Sequence, residues 1–427
     1  MKKHLLTVIV SAISLQSFSQ TASRLIKEKD VENIINVLAA DSMEGRGIFT
    51  PGIEKAARYI ENSFKTTGLE SFSGSGSFRQ NFSVTKSVPL AVEVNINNVR
   101  VPVENCIIIS NGTFKWNNDK DVQVLKIKPG GAFLESYLSI LRSGKNAIVQ
   151  VDEQYRDYFN HLRKTLANGC ITLKNNNPSG QVFILGNAAE ITSFEISYQD
   201  KTQEIALSNI IGVIPGKTRP KECVIFSGHY DHLGILPPVK GDSIANGADD
   251  DASGITGVIS LAKYYKKLNN NARTLIFIAF TAEELGEWGS QYLSTQLDPD
   301  KIVAMINMEL IGSDSKFGPN NAFITGFERS DFGAIMQKNI KDTSFQFHPD
   351  PYVKFELFYR SDNASLARLG VPAHTISTAP IDKDQFYHTV KDEVKTLDLK
   401  SLTATIQAIA TGAGSLVSGR DTPTRIK

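Results

Sequence analysis

Five short polar clusters in this sequence carry the residue types that bind metals and move protons: GHYDHLG (228–234), NGADDDASG (246–254), TAEELGEWGS (281–290), INMELIG (306–312) and FYHT (386–389). In the first, His229 stands two residues before Asp231, and His232 offers a second imidazole. A metal-binding imidazole usually gives its other N–H to a carboxylate or carbonyl, so a His-x-Asp pair supplies both parts locally. The second places Asp249, Asp250 and Asp251 in a row before an amphipathic helical pattern. Helix capping needs one of them, so three repelling carboxylates suggest a cation. They lack the alternate spacing and distant Glu of a calcium loop. In the third, Glu283 and Glu284 follow the apolar run RTLIFIAF. Neighbouring side chains on a strand point to opposite faces, so this pair shares one site only where the strand has ended. Glu309 interrupts an apolar run, and a buried carboxylate without a partner is expensive. Tyr387 and His388 close the set in a polar loop. Taken singly each cluster has a plain structural reading, such as an acidic first helical turn. Together they supply imidazole and carboxylate without thiolate, the donor set of an open, catalytic zinc site. HExxH, GxSxG, a Walker loop and a GxGxxG after a strand are absent from the sequence.

These clusters need a scaffold that brings distant segments together. From residue 207 onward, NIIGVIPG, ECVIFSG, RTLIFIAF, KIVAMINMELIG and VPAHTIST alternate with helical patterns such as ASGITGVISLAKYYKKL. Continuous apolar strands between helices predict an α/β sheet covered on both faces. Each polar cluster then falls at the C-terminal end of a strand or in a loop, where such sheets place function. Residues 24–68 read as helical, with Ile34, Ile35, Leu38 and Ala39, then Ala56, Ile60 and Phe64, at helical spacing around the turn DSMEGRGIFTPG. Residues 84–206 change texture to short alternating runs with one or two helices, the clearest near 155–168, an inserted, mostly β accessory domain.

The 427 residues hold 46 Lys and Arg against 45 Asp and Glu. That balance excludes an electrostatic nucleic-acid binder. Cys106, Cys170 and Cys223 form neither a disulfide framework nor a CxxC site. The start, with Lys2 and Lys3 before an apolar stretch over 5–15 and then Ser17 and Ser19, reads as a secretory leader cleaved near Ser19 or Gln20. No later run reaches the length of a membrane span. The expectation is an exported protein, periplasmic or secreted, divided as leader 1–19, N-terminal part of the main domain 20–83, insert 84–206, and main domain 207–427.

GHYDHLG, NGADDDASG, AFTAEELGEWGS, INMELIG and YHT resemble, in order, the motifs of the M28 family of zinc exopeptidases. The resemblance runs over about 207–395. LAADSMEGRGIFTPG resembles the family's N-terminal segment, and the middle module more faintly resembles its protease-associated insert. The resemblance implies a central mixed, mostly parallel sheet flanked by helices. It implies two zinc ions, one on His229 and one on His388, with Asp250 bridging, Glu284 on the His388 side and Glu309 on the His229 side. Glu283 becomes the general base, Asp231 orients His229, and Tyr387 hydrogen-bonds the oxyanion. Glu309 departs from the Asp usual in the family, and its extra methylene bears on the part of the pocket that reads a substrate's amine. YRSDNASLARLGVP also resembles a family segment, placing Asp362 beside the ligands. The implied function is removal of N-terminal residues from peptides. A glutaminyl-cyclase-like enzyme on the same fold resembles a single-zinc site without the first His, and His229 is present. A carboxypeptidase needs a cation facing the substrate carboxylate, for which Arg329 and Arg360 are the candidates. A non-catalytic binding protein typically loses ligands or the base, and all these positions are filled. Side-chain preference and oligomeric state stay open.

Overall fold

In the computed structural model the apolar runs become strands of one sheet. Residues 21–426 are described, apart from 73, 75, 132, 167–168, 175–178 and 187–189. The expected leader lies outside the described residues. The chain divides into two compact units, Met1–Asn81 with Leu207–Lys427, and Phe82–Ala206.

In the first unit the strands are β1 (Phe194–Ile214, from Leu207 on), β2 (Arg219–His229), β3 (Arg273–Phe280), β4 (Ile302–Met308), β5 (Asn321–Ile324), β6 (Gln346–Pro349) and β7 (Ala373–Ser377). Their order is β6-β5-β7-β4-β2-β3-β1. The centre is parallel: β2 pairs with β3 (Val224 to Leu275) and with β4 (Ile225 to Met305), and β4 pairs with β7. β1 joins β3 antiparallel, and β5 joins β7 antiparallel. The sheet is therefore mixed with a parallel middle, as the alternation of apolar runs and helices implies. Side chains alternate across it. Val224, Phe226, Leu275, Phe277, Ala304 and Ile306 pack on one side with the helices Glu28–Leu38, Pro51–Thr67, Gly254–Leu268 and Leu399–Gly412. Ile225, Ile276, Ile278 and Met305 pack on the other with Leu293, Leu366 and Val371. Both faces being covered explains why these strands read as continuous apolar runs.

Because β2, β3 and β4 are parallel neighbours, their C-terminal ends lie side by side. β2 ends at His229, β3 at Phe280 just before Glu283, and β4 at Met308 just before Glu309. The helix Gly254–Leu268 starts directly behind the aspartate run. A side chain at Gly254 would put a Cβ 2.3 Å from the Met308 carbonyl oxygen, so only glycine lets this helix approach β4 so closely. Lys266 and Lys267 in its last turn complement the helix dipole. The N-terminal helix Pro51–Thr67 has the start expected of Thr50-Pro51, with the Thr50 hydroxyl accepting the Gly52 N–H.

The Phe82–Ala206 unit holds a four-stranded sheet in the order Cys106–Ser110, Gly180–Leu185, Ala147–Val151, Gln123–Ile127. Its helices Phe133–Ser143 and Arg156–Thr165 pack into a core with Ile107, Val149, Phe159 and Phe183.

Candidate metal centre

The strand ends bring four of the sequence-selected side chains into one cluster. One oxygen of Asp250 lies 3.2 Å from Nε2 of His229, and the other lies 3.3 Å from Nε2 of His388. Glu284 Oε2 is 3.2 Å from the same His388 nitrogen. Atoms bound to one tetrahedral zinc at about 2.0–2.1 Å lie about 3.3 Å from each other. All three separations match that edge. His229 is 1% exposed and Asp250 2%, and His229 Nε2 and Asp250 Oδ1 are buried without a hydrogen-bond partner. A buried polar atom left unpaired is costly unless something else satisfies it. The donor set is nitrogen and oxygen only. The residues therefore fit zinc on the geometry and on the orphaned atoms.

The tautomer of His229 follows from its other side. Its Nδ1 is 3.1 Å from the backbone carbonyl oxygen of Asp231, which can only accept. Nδ1 therefore carries the proton and Nε2 presents a lone pair. The orienting contact runs through this carbonyl, with the Asp231 carboxylate 3.8 Å away. That carboxylate instead accepts the backbone N–H groups of Glu283 and Glu284, at 3.2 and 3.3 Å. Here lies the reason two successive glutamates serve one site. β3 ends at Phe280, Ala282 adopts φ 56°, and the chain turns with both amides held by Asp231. A non-glycine residue in the left-handed region is uncommon and typical of sites where a side chain must be aimed.

Glu283 Oε2 sits 4.0 Å from His229 Nε2. Burial pushes the Glu283 carboxyl well above its ordinary range, with His229 pulling it back and Glu309 and Asp362 adding to the rise. Glu309 is held in the same way, raised by burial to about 7 with His229 opposing. One of its oxygens, Oε2, is buried with no partner, and the residue borders a cavity of about 190 Å³. Asp362 is fully buried, and burial raises it too. Tyr387 stacks on His388 with ring centres 3.8 Å apart, and it lines the same cavity. Burial disfavours a charge on His388, but Asp250 and Glu284 hold its pKa up at about 10 when no cation competes.

The sequence model of peptidase family M28 matches residues 209–413. That segment, just under half of the chain, is what resembles the family. A probable zinc metalloprotease of Pyrenophora tritici-repentis is 31% identical over 113 residues, 26% of this chain and 23% of that protein. Leucine aminopeptidase 1 of Aspergillus niger is 27% identical over 202 residues, 44% of this chain and 50% of that protein. The chain thus spans about a quarter to a half of the length of these relatives. The solved aminopeptidase from Aneurinibacillus sp. strain AM-1 shares the fold, with a TM-score of 0.55, 17% identity, and coverage of 93% of this chain and 95% of that one.

Hydrogen bonding also explains the aspartate triplet. Only Asp250 faces the imidazoles. Asp249 accepts the Gly312 N–H at 2.7 Å. Asp251 accepts the N–H groups of His229, Gly254 and Leu310, stitching β2, the helix start and the end of β4 together. Three residues that matter here were not singled out as site residues. Asp392, four residues past His388, accepts the Asp249 and Asp250 N–H groups at 2.8 and 3.0 Å. Its only sequence signal is the acidic end of YHTVKDE. Arg46 is fully buried and donates to the carbonyl oxygens of Leu38, Tyr230, Asn246, Gly247 and Asp250. It thereby holds the aspartate loop against the exit of β2, and Asp392, Asp250 and Asp251 offset the penalty of burying it. The signal was the SMEGRG turn. The third is His232, taken up below. Replacing Arg46 with Met removes five charge-assisted donors from buried carbonyls. Arg46→Met is expected to destabilise the protein by at least about 3 kcal/mol. Urea unfolding of the two proteins checks this, and an unchanged midpoint would refute it.

Proposed function

We propose that this chain is a zinc-dependent aminopeptidase holding two metal ions, and the observation that carries it is the Asp250 carboxylate shared between two imidazoles. His229, Asp250 and Glu309 hold one ion; His388, Asp250 and Glu284 hold the other. Zinc bound there supplies a Lewis acid for the scissile carbonyl and lowers the pKa of a water it holds. Glu283 takes the proton of the attacking water and passes it to the leaving amine nitrogen. Tyr387 donates its hydroxyl proton to the oxygen that gains charge. Asp231 keeps Glu283 and Glu284 aimed by gripping their amides.

The cavity beside Glu309 is the place for the first residue's side chain. Leu310, Phe323, Leu357, Ala379 and Ile381 line it. Peptides beginning with Leu or Met are expected to be cleaved with higher kcat/KM than those beginning with Lys or Asp, since charged side chains desolvate badly there. Equal kcat/KM across these four would refute the placement. One observation favours a second reading: Arg360 lines the same cavity, as a carboxypeptidase requires, although Asp384 lines it too.

Hydrolysis of a short peptide, its N-acetylated form and its C-amidated form, each with and without chelator, separates the two. Loss of cleavage on acetylation supports the aminopeptidase. Loss on amidation supports the carboxypeptidase. We further propose export, on the charged-then-apolar first residues, and assign Phe82–Ala206 as the accessory insert. Fractionation of an expressing cell tests the first point.

A further inference from the structure

His232 is 3% exposed and has no role in the scheme above. Its Nδ1 lies 2.7 Å from Glu284 Oε1 and 3.8 Å from the nearer Asp250 oxygen. The first distance is a charge-assisted hydrogen bond and is too short for two ligands of one tetrahedral zinc, which lie about 3.3 Å apart. The three pairs described above keep that wider spacing. Glu284 therefore divides its two oxygens: Oε1 goes to His232 and Oε2 goes to His388.

The proton on His232 has one good place. Nε2 is buried and has no hydrogen-bond partner, so an N–H there would be a buried, unsatisfied donor. An N–H at Nδ1 meets a carboxylate. The ring cannot swing away. A Cβ added at Gly247 would come within 2.5 Å of its Cδ2 and 2.6 Å of its Cγ, so the imidazole rests directly on that backbone. The His388 ring stands edge-on to it at 5.9 Å. At the base, the His232 amide is held by the Arg46 carbonyl at 3.3 Å.

We propose that His232 is a positioning residue that clamps Glu284 Oε1, forcing Glu284 to offer a single oxygen to the metal position it shares with Asp250 and His388. The proposal rests on the metal-site reading above. Without the clamp, Glu284 is free to turn about its side-chain torsions, and fixing it at the metal position costs that freedom. Metal held on the His388 side then weakens, while the His229 side keeps its own donors.

The test is zinc affinity and stoichiometry by competition against a chromophoric chelator, backed by the visible absorption of the cobalt-loaded protein. His232→Leu removes the donor. His232→Asn places an amide nitrogen where Nδ1 stood, and His232→Gln places it where Nε2 stood. His232→Leu is expected to weaken one of two bound zinc ions by about 10–100-fold and leave the other unchanged, as loss of a partner behind a ligand typically does. His232→Asn is expected to recover most of that loss and His232→Gln little of it. If His232→Leu does not fold, the Asn and Gln pair carries the comparison alone. Unchanged affinity in His232→Leu or His232→Gln overturns the proposal. So does failure of His232→Asn to exceed His232→Gln. A cobalt spectrum that loses a nitrogen ligand in every variant also overturns it, by making His232 a ligand itself. Absence of any bound zinc in the unaltered protein would instead overturn the metal-site reading on which the clamp depends.

Discussion

Glu283→Gln is expected to lower kcat about 10²–10⁴-fold, the usual contribution of a positioned base, with zinc content unchanged and KM little altered. The substitution keeps the shape of the side chain and removes its ability to take a proton. The geometry around it should survive, because Asp231 holds this turn through backbone amides and not through the Glu283 side chain. The pH profile sharpens the test. Burial raises the Glu283 carboxyl above its ordinary value of 4.5. A base works only when deprotonated, so kcat/KM should rise with pH through the Glu283 pKa of the zinc-loaded protein, which the nearby cations pull down from its metal-free value. The rising limb should vanish in Glu283→Gln. A Gln variant that keeps most of its activity would place the base elsewhere, with Glu309 and Asp362 next in line by position.

Chelation gives the second large effect. Hydrolysis should stop and return on zinc addition, and the metal-free protein should become less stable as pH rises. With the cations gone, four carboxyl groups buried in and around the site lack compensating charge. Burial raises Asp231 and Asp249 to about 6, and Glu309 and Asp392 to about 7. A folded-state pKa above the unfolded value means that the folded protein holds more protons. The stabilisation is complete below about pH 4 and is lost as pH rises through about 7, on the order of 3–4 kcal/mol for each group. His388, raised to about 10, acts in the same direction as pH climbs further. Asp250 and Glu284 are shifted down by His232, His229 and His388, against the desolvation that opposes them, so they stay ionised across this window. Thermal unfolding of the chelated protein at pH 5.5 and pH 8 should show the higher Tm at the lower pH. Zinc should narrow the difference, because cations replace the protons. A chelated protein that is more stable at pH 8 would show that the cluster is not the crowded acid site described here.

The local residues determined a good deal. Runs such as RTLIFIAF had to be strands covered on both faces, because six successive apolar residues, Leu275 to Phe280, cannot face water on either side. Glu283 and Glu284 had to follow a strand end, because a pleated strand would have parted them. Glu309 stood out as a carboxylate in an apolar run, where burial without a partner is expensive. Imidazoles and carboxylates at successive strand ends already pointed to a metal, and the ordered motifs to a family.

Tertiary structure decided how those residues share their oxygens and protons. Which aspartate of the triplet meets the imidazoles depends on where Gly312 and Leu310 present their amides, some 60 residues along the chain. The carboxylate of Asp231 is committed to a turn 52 residues away, and its carbonyl to His229. Arg46 and Asp392 support the same loop from opposite ends of the chain, at separations of about 200 and 142 residues. His232 reads in sequence as a second candidate imidazole, and only the packing on Gly247 and the 2.7 Å contact show which atom it holds. The physical reason is common to all four. Residue type and local spacing limit which groups can donate or accept, but a hydrogen bond is made at about 3 Å. Separations of that size between distant segments are set by strand register and helix packing, which no local stretch of sequence contains.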